Sequence, residues 1–257
     1  MSSRGEMKNG SFFIKLNRYC IRQRLKPISV FLFHHVSEVR NPLISATCDW
    51  TQTEQFKKNI CLLKKEFSFV SLDEAWRRLH HDRFRFRKFA VLTADDGYRS
   101  LLDILPWLEQ EGVPITIFVN TKYLDKKSWG EVNEEVAREY KPDVDMLSEV
   151  CPDLFISKEE LFGIDSPIVS VGLHGHEHLD ATNRSEEEFR KDVEKAKSIL
   201  FPHPRFVPFY AYAWGRHNVK TDRIVGEMDL VPVLVNGMKN DNNTGCINRI
   251  CIDGKML

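Results

Sequence analysis

The sequence has no surplus of charge of either sign: Lys and Arg total 37, and Asp and Glu total 37. Without a basic excess there is no general field to hold a nucleic-acid backbone, so no nucleic-acid partner is expected. No run approaches the roughly 20 apolar residues that a membrane-spanning helix needs. The opening stretch, MSSRGEMKNGSFFIKLNRYCIRQRL, lacks the apolar core and small-residue cleavage site of an export signal. The 6 cysteines form no Cys-x-x-Cys pair, and 257 residues are too many to depend on a disulfide framework. A zinc ribbon is thereby ruled out, and reduced, mostly buried thiols in a cytoplasm are expected. Internal repeats and flexible linkers are missing too. What remains is an ordinary globular composition, 42% hydrophobic and 29% charged, long enough to bury a core.

Short apolar runs alternate with helical patterns. Strands are predicted at Ile28–Phe33, Phe89–Thr93, Ile115–Val119, Ile168–Leu173, Phe206–Ala211, Val231–Val235 and Ile247–Ile252, all rich in Val, Ile or Phe. Helices are predicted over Thr53–Glu66, Leu72–Leu79 and Ser185–Leu200, the last two opened by Ser-x-x-Glu capping patterns. Strands separated by helices argue for one α/β domain built on a parallel sheet or barrel. Residues 77–88 form a basic connection, and the acidic stretch 125–165 reads as an insertion with its own helices. Charge runs of this kind usually mean solvated surface.

Two motifs carry chemistry. Leu92-Thr93-Ala94-Asp95-Asp96-Gly97 places adjacent carboxylates at the end of a buried strand, where parallel α/β folds bind ligands. Neighbouring side chains diverge there, so one acid is free to bind a metal while the other faces substrate. His174-Gly175-His176-Glu177-His178 follows another strand. One turn of helix would put His174 and His178 on one side, giving two imidazoles that need a carboxylate from Asp95 or Asp96. His176 would point away. The zincin pattern His-Glu-x-x-His fails, because Asp180 stands where its second histidine is required. An iron(II) oxygenase triad through His178 and Asp180, with His203 or His217, would need a many-stranded sandwich rather than this alternation.

From about Ser29 to Ile252 the chain resembles the polysaccharide deacetylases, carbohydrate esterase family 4, also called the NodB-homology domain. Thr93-Ala94-Asp95-Asp96-Gly97 is similar to the family's Thr-Phe-Asp-Asp-Gly, and His174 to His178 is similar to His-(Ser/Thr)-x-x-His. The resemblance implies a single-domain distorted (β/α) barrel of about seven parallel strands, spanning 28–257 after a basic extension, 1–27. It implies Asp95 as catalytic base and Asp96, His174 and His178 as ligands of a divalent metal, with zinc favoured. Tyr210-Ala211-Tyr212-Ala213-Trp214-Gly215 occupies the place of the third motif, so Tyr212 and Trp214 are expected to offer flat faces to a sugar ring. The arginine that often orients the base is missing there, with Ala211 at its position. The usual late histidine motif has no match either. Phe33-His34-His35-Val36 instead looks like the Tyr-His-x-Val of a permuted subgroup that includes poly-N-acetylglucosamine deacetylases. That implies His34 as general acid, with His35 the second choice.

The implied activity is metal-dependent hydrolysis of an N-acetyl group from an amino sugar, in an oligo- or polysaccharide or its precursor. Two alternatives stand beside it: an amidase or deformylase acting on a lipid-linked amino sugar or cyclic amide, and a non-catalytic carbohydrate-binding relic. Basic residues interleaved with Phe12, Phe13, Leu16 and Tyr19 within residues 8–26 also allow peripheral contact with anionic lipid.

Overall fold

The computed structural model describes residues 28–40, 50–81, 88–124, 154–238, 240 and 245–254. Ten strands are present among these residues: β1 (Ile28–Phe33), β2 (His35–Ser37), β3 (Trp50–Gln52), β4 (Ser68–Phe69), β5 (Phe89–Ala94), β6 (Ile115–Val119), β7 (Val169–Leu173), β8 (Phe206–Ala211), β9 (Val231–Val235) and β10 (Ile247–Cys251). The helices are α1 (Thr53–Glu66), α2 (Leu72–His81), α3 (Leu101–Gln110), α4 (Lys158–Phe162), α5 (Glu186–Leu200) and α6 (Val219–Glu227).

The main sheet runs β1-β10-β9-β8-β7-β6-β5, and β1 also pairs with β5. Seven parallel strands therefore close into a (β/α) barrel, with β4 attached outside to β5. Closure explains why β1, β5 and β6 are buried along their whole length: one face fills the interior and the other meets helices. Val30, Val91, Phe118, Phe209, Ala211, Val233 and Ile247 form the inner cluster, into which α2 sends Leu72, Ala75 and Leu79. Phe31 and Phe33, one position off, join the outer cluster with Phe56, Ile60 and Leu63 of α1. This is the period-2 alternation of a strand.

The seven predicted strands all form, with ends shifted by one residue at most. The capping box before α5 is complete: Ser185 and Glu188 satisfy each other's backbone N–H. Before α2, Ser71 Oγ accepts from Glu74 N, while the Glu74 carboxylate pairs with Arg77 and Arg78. Two helices were not anticipated, α3 and α6, whereas α4 falls in the insertion expected to carry helices of its own. The thiols depart from expectation, since Cys61 is exposed and Cys246 and Cys251 are half-buried; Cys20, Cys48 and Cys151 lie outside the described residues. So do the extension 1–27 with its lipid-contact stretch 8–26, half of the basic connection (82–87), and residues 125–153 of the insertion. The remainder of the insertion packs on the Asp95–Gly97 turn. Phe155 bridges to Tyr98, stacks on the rings of Tyr98 and Tyr123, and is flanked by the bond Ile156 N to Gly97 O. Among the described residues no helix is long and apolar enough to cross a membrane.

Candidate active site

The strand ends at one mouth of the barrel bring the two motifs together. β5 ends at Ala94, and Asp95 follows with its N–H bonded to Phe33 O of β1. Asp96 (φ 70°) and Gly97 (φ 74°) then take two left-handed steps in a row, which turn the Asp96 carboxylate away from that of Asp95. β7 ends at Leu173, and His174 N bonds to Val119 O of β6.

From His174 to His178 the chain is a loop, not the helical turn expected. Gly175 (φ 80°) starts it, and the Asp192 carboxylate of α5 accepts His176 N at 2.9 Å and Glu177 N at 2.8 Å. A Cβ on Gly175 would lie 2.9 Å from Asp192 Oδ2, so the residue that departs from the family pattern is the one this packing requires. His178 closes the loop at φ 51°. Among the described residues four non-glycines have positive φ, and three of them (Asp96, His178 and Trp214) cluster here, as expected where backbone strain serves a site. His176 turns away, with Nδ1 2.9 Å from Thr121 Oγ1.

Asp96 Oδ1 sits 3.2 Å from Nε2 of both His174 and His178. It is buried and makes no hydrogen bond. His174 Nδ1 lies 2.9 Å from Ala211 O and must donate to it, which leaves the Nε2 lone pair facing Asp96. An orphaned carboxylate oxygen facing two imidazole nitrogens is a donor set that fits a first-row divalent cation.

Asp95 is equally buried, and its partner is one the sequence did not reveal. Arg249 of β10 grips it through two bonds, Nη1 to Oδ1 at 2.6 Å and Nη2 to Oδ2 at 2.8 Å. The guanidinium is fully buried, with its carbon 5.2 Å from the centre of the Phe118 ring. Burial raises the Asp95 pKa, and the Arg249 charge more than reverses that, so the carboxyl stays ionised. The arginine absent from the third motif after β8 is thus replaced from β10, two strands along the barrel wall.

The two adjacent histidines separate cleanly. His34 N donates to Asp253 Oδ1 at 2.9 Å, and His34 Nδ1 lies 2.5 Å from Asp253 Oδ2. Burial disfavours the charged ring, yet Asp253 raises the His34 pKa to about 10. His35 is buried with its ring edge-on to Tyr98, and burial lowers its pKa to about 4. At neutral pH one ring carries a proton to give and the other does not.

Tyr212 and Trp214 also part. Tyr212 is 1% exposed, its ring lying near Phe189 and His217, and offers no open face. Trp214 is 48% exposed and leans on His178, ring centres 5.0 Å apart. The residues of the rejected oxygenase reading are occupied elsewhere: Asp180 caps Thr182 and pairs with Arg216, His203 bonds Leu161 O, and His217 faces Asp222.

Residues 85–233 match the family described as polysaccharide deacetylase. His34, Arg249 and Asp253 lie outside that segment. Among solved structures, the chain is similar to the Streptococcus pyogenes deacetylase PplD in complex with acetate (TM-score 0.69, 19% identity, covering 88% of this chain and 92% of that one). It is also similar to IcaB from Ammonifex degensii (TM-score 0.67, 16% identity, 88% and 94% covered). A third is the BpsB deacetylase domain from Bordetella bronchiseptica (TM-score 0.64, 18% identity, 88% and 96% covered). No curated protein matches.

Proposed function

The chain belongs to the polysaccharide deacetylase family, and from that premise we propose that it hydrolyses N-acetyl groups of amino sugars, in an oligo- or polysaccharide or a precursor of one, with a bound divalent metal. The observation that carries this reading is the convergence of Asp96, His174 and His178 beside a second buried carboxylate, Asp95, that is held ionised and outside the ligand set. A cation held by those three residues, zinc by preference of the donors, supplies Lewis acidity toward the amide oxygen and lowers the pKa of water toward neutrality.

Asp95 takes the proton of the attacking water as the carbonyl becomes tetrahedral. Arg249 fixes the carboxylate in two bonds and keeps it charged for that role. Oxyanion stabilisation is assigned in this reading to a backbone N–H near Tyr212, a contribution of about 3–4 kcal/mol for one donor. His34, charged through Asp253, gives its proton to the departing amine, which would otherwise be a very poor leaving group. The early position of His34 supports membership of the permuted subgroup. Trp214 presents the exposed face on which a sugar ring stacks.

The test is acetate release across a panel of short N-acetylated amino-sugar oligomers, with formate assayed in parallel. Acetate from at least one oligomer is expected. Formate alone would move the reading to a deformylase, and binding without either product would make the chain a carbohydrate-binding relic.

A further inference from the structure

Beside the first ligand set lies a second cluster that no step of the proposed reaction uses as such. His34 Nδ1, Cys251 Sγ and one oxygen of Asp253 all lie within 4.8 Å of one another. Cys251 ends β10 and Asp253 stands two residues on, in the turn that follows. Cys251 and His34 meet at one atom: Cys251 Sγ lies 3.3 Å from Asp253 Oδ2, and His34 Nδ1 lies 2.5 Å from it. The other carboxylate oxygen accepts His34 N at 2.9 Å, which anchors the buried Asp253 while Oδ2 faces the nitrogen and the sulfur. His34 and Cys251 are half-buried, which leaves a path from solvent.

We propose that His34, Cys251 and Asp253 form a second divalent-cation site, selective for zinc-like ions, whose occupation silences the acid. The silencing rests on the reading of His34 as general acid; the site itself does not. One imidazole nitrogen, one carboxylate oxygen and one thiolate sulfur suit zinc or cobalt and not magnesium or calcium. Bonds of about 2.0–2.3 Å to a tetrahedral ion set neighbouring donors roughly 3.3–3.8 Å apart. The sulfur–oxygen pair already has that spacing, and the His34–Asp253 pair must open by roughly 1 Å. Bonds form from Nδ1, Oδ2 and Sγ to the ion, the proton between Nδ1 and Oδ2 and the thiol proton leave to water, and no electrons are exchanged. A ring bound through Nδ1 keeps a proton on Nε2, but releasing it would leave an imidazolate. It is no longer a useful acid.

The sulfur makes the site visible independently of activity, because Asp96, His174 and His178 contain none. Metal-stripped full-length protein is titrated with Co2+ and followed in the near ultraviolet. A second equivalent with a thiolate-to-cobalt band is expected. The band should vanish in Cys251→Ser and Cys251→Ala but persist in His174→Ala, which empties the first site. In acetate release, excess zinc should suppress the zinc-loaded wild type, while magnesium should not. The zinc concentration giving half suppression should rise roughly tenfold or more in Cys251→Ser. No sulfur band, a band surviving both Cys251 variants, or equal suppression of wild type and variant would overturn the proposal. If the band behaves as described but no metal loading yields acetate, the cation site stands and the deacetylase reading fails.

Discussion

Two ion pairs, Arg249 with Asp95 in the buried interior and the half-buried His34 with Asp253, set the protonation states on which the reaction depends. Each has a testable consequence. In Asp253→Asn the charge that raises His34 is gone and burial, which favours the neutral ring, remains. The basic limb of the pH profile for acetate release, expected near pH 10 in the wild type, should then fall by more than one unit toward the ordinary histidine value of 6.5. An unmoved limb would remove His34 from the role of acid. Removing the Arg249 charge leaves Asp95 with desolvation that raises its pKa, so the acidic limb should move to higher pH. In Arg249→Met the buried carboxylate also loses its partner, and a loss of about 3–5 kcal/mol of stability is expected in chemical denaturation. Arg249→Lys keeps the charge without the two-pronged grip. It should retain most of the stability while lowering kcat more than it raises KM.

At the scale of elements, β10 carries Arg249 and Cys251 and the turn just after it carries Asp253, so one strand and its end support both the base and the acid. The loop after β7 shows the same economy, with the Asp192 carboxylate holding two backbone N–H groups between the two ligand histidines. Gly175→Ala should cost about 1–3 kcal/mol in thermal denaturation, because it combines positive φ with a contact at 2.9 Å to that carboxylate. It should also weaken metal binding; unchanged stability and affinity would show that the loop does not depend on this turn. Much of this level was legible in the sequence. The ligand histidines crowd into five residues, and the buried strands announce themselves as Val, Ile and Phe runs. Helix α3 was hidden by Pro106, a residue that normally breaks helices, and α6 is only 9 residues long. Arg249 and Asp253 belong to no local pattern, since their partners lie 154 and 219 positions away. The one available signal was a charged residue inside a strand predicted to be buried.

For the whole molecule, barrel closure is what creates the site. The strands that meet at the closing seam run β10, β1, β5, and they supply Arg249 and Asp253, His34, and the two aspartates respectively. The chain's first and last described strands must therefore pair before acid and base face each other, while the two ligand histidines wait across the mouth after β7. This account turns on one division of labour: Asp96, His174 and His178 hold the metal, and Asp95 stays free as the base. Metal content measured alongside acetate release in Asp95→Asn and His174→Ala tests it most directly. Asp95→Asn is expected to keep its metal and lose turnover, and His174→Ala to lose both. Full deacetylase activity in chelator-treated wild type, or in Asp95→Asn, would contradict the account.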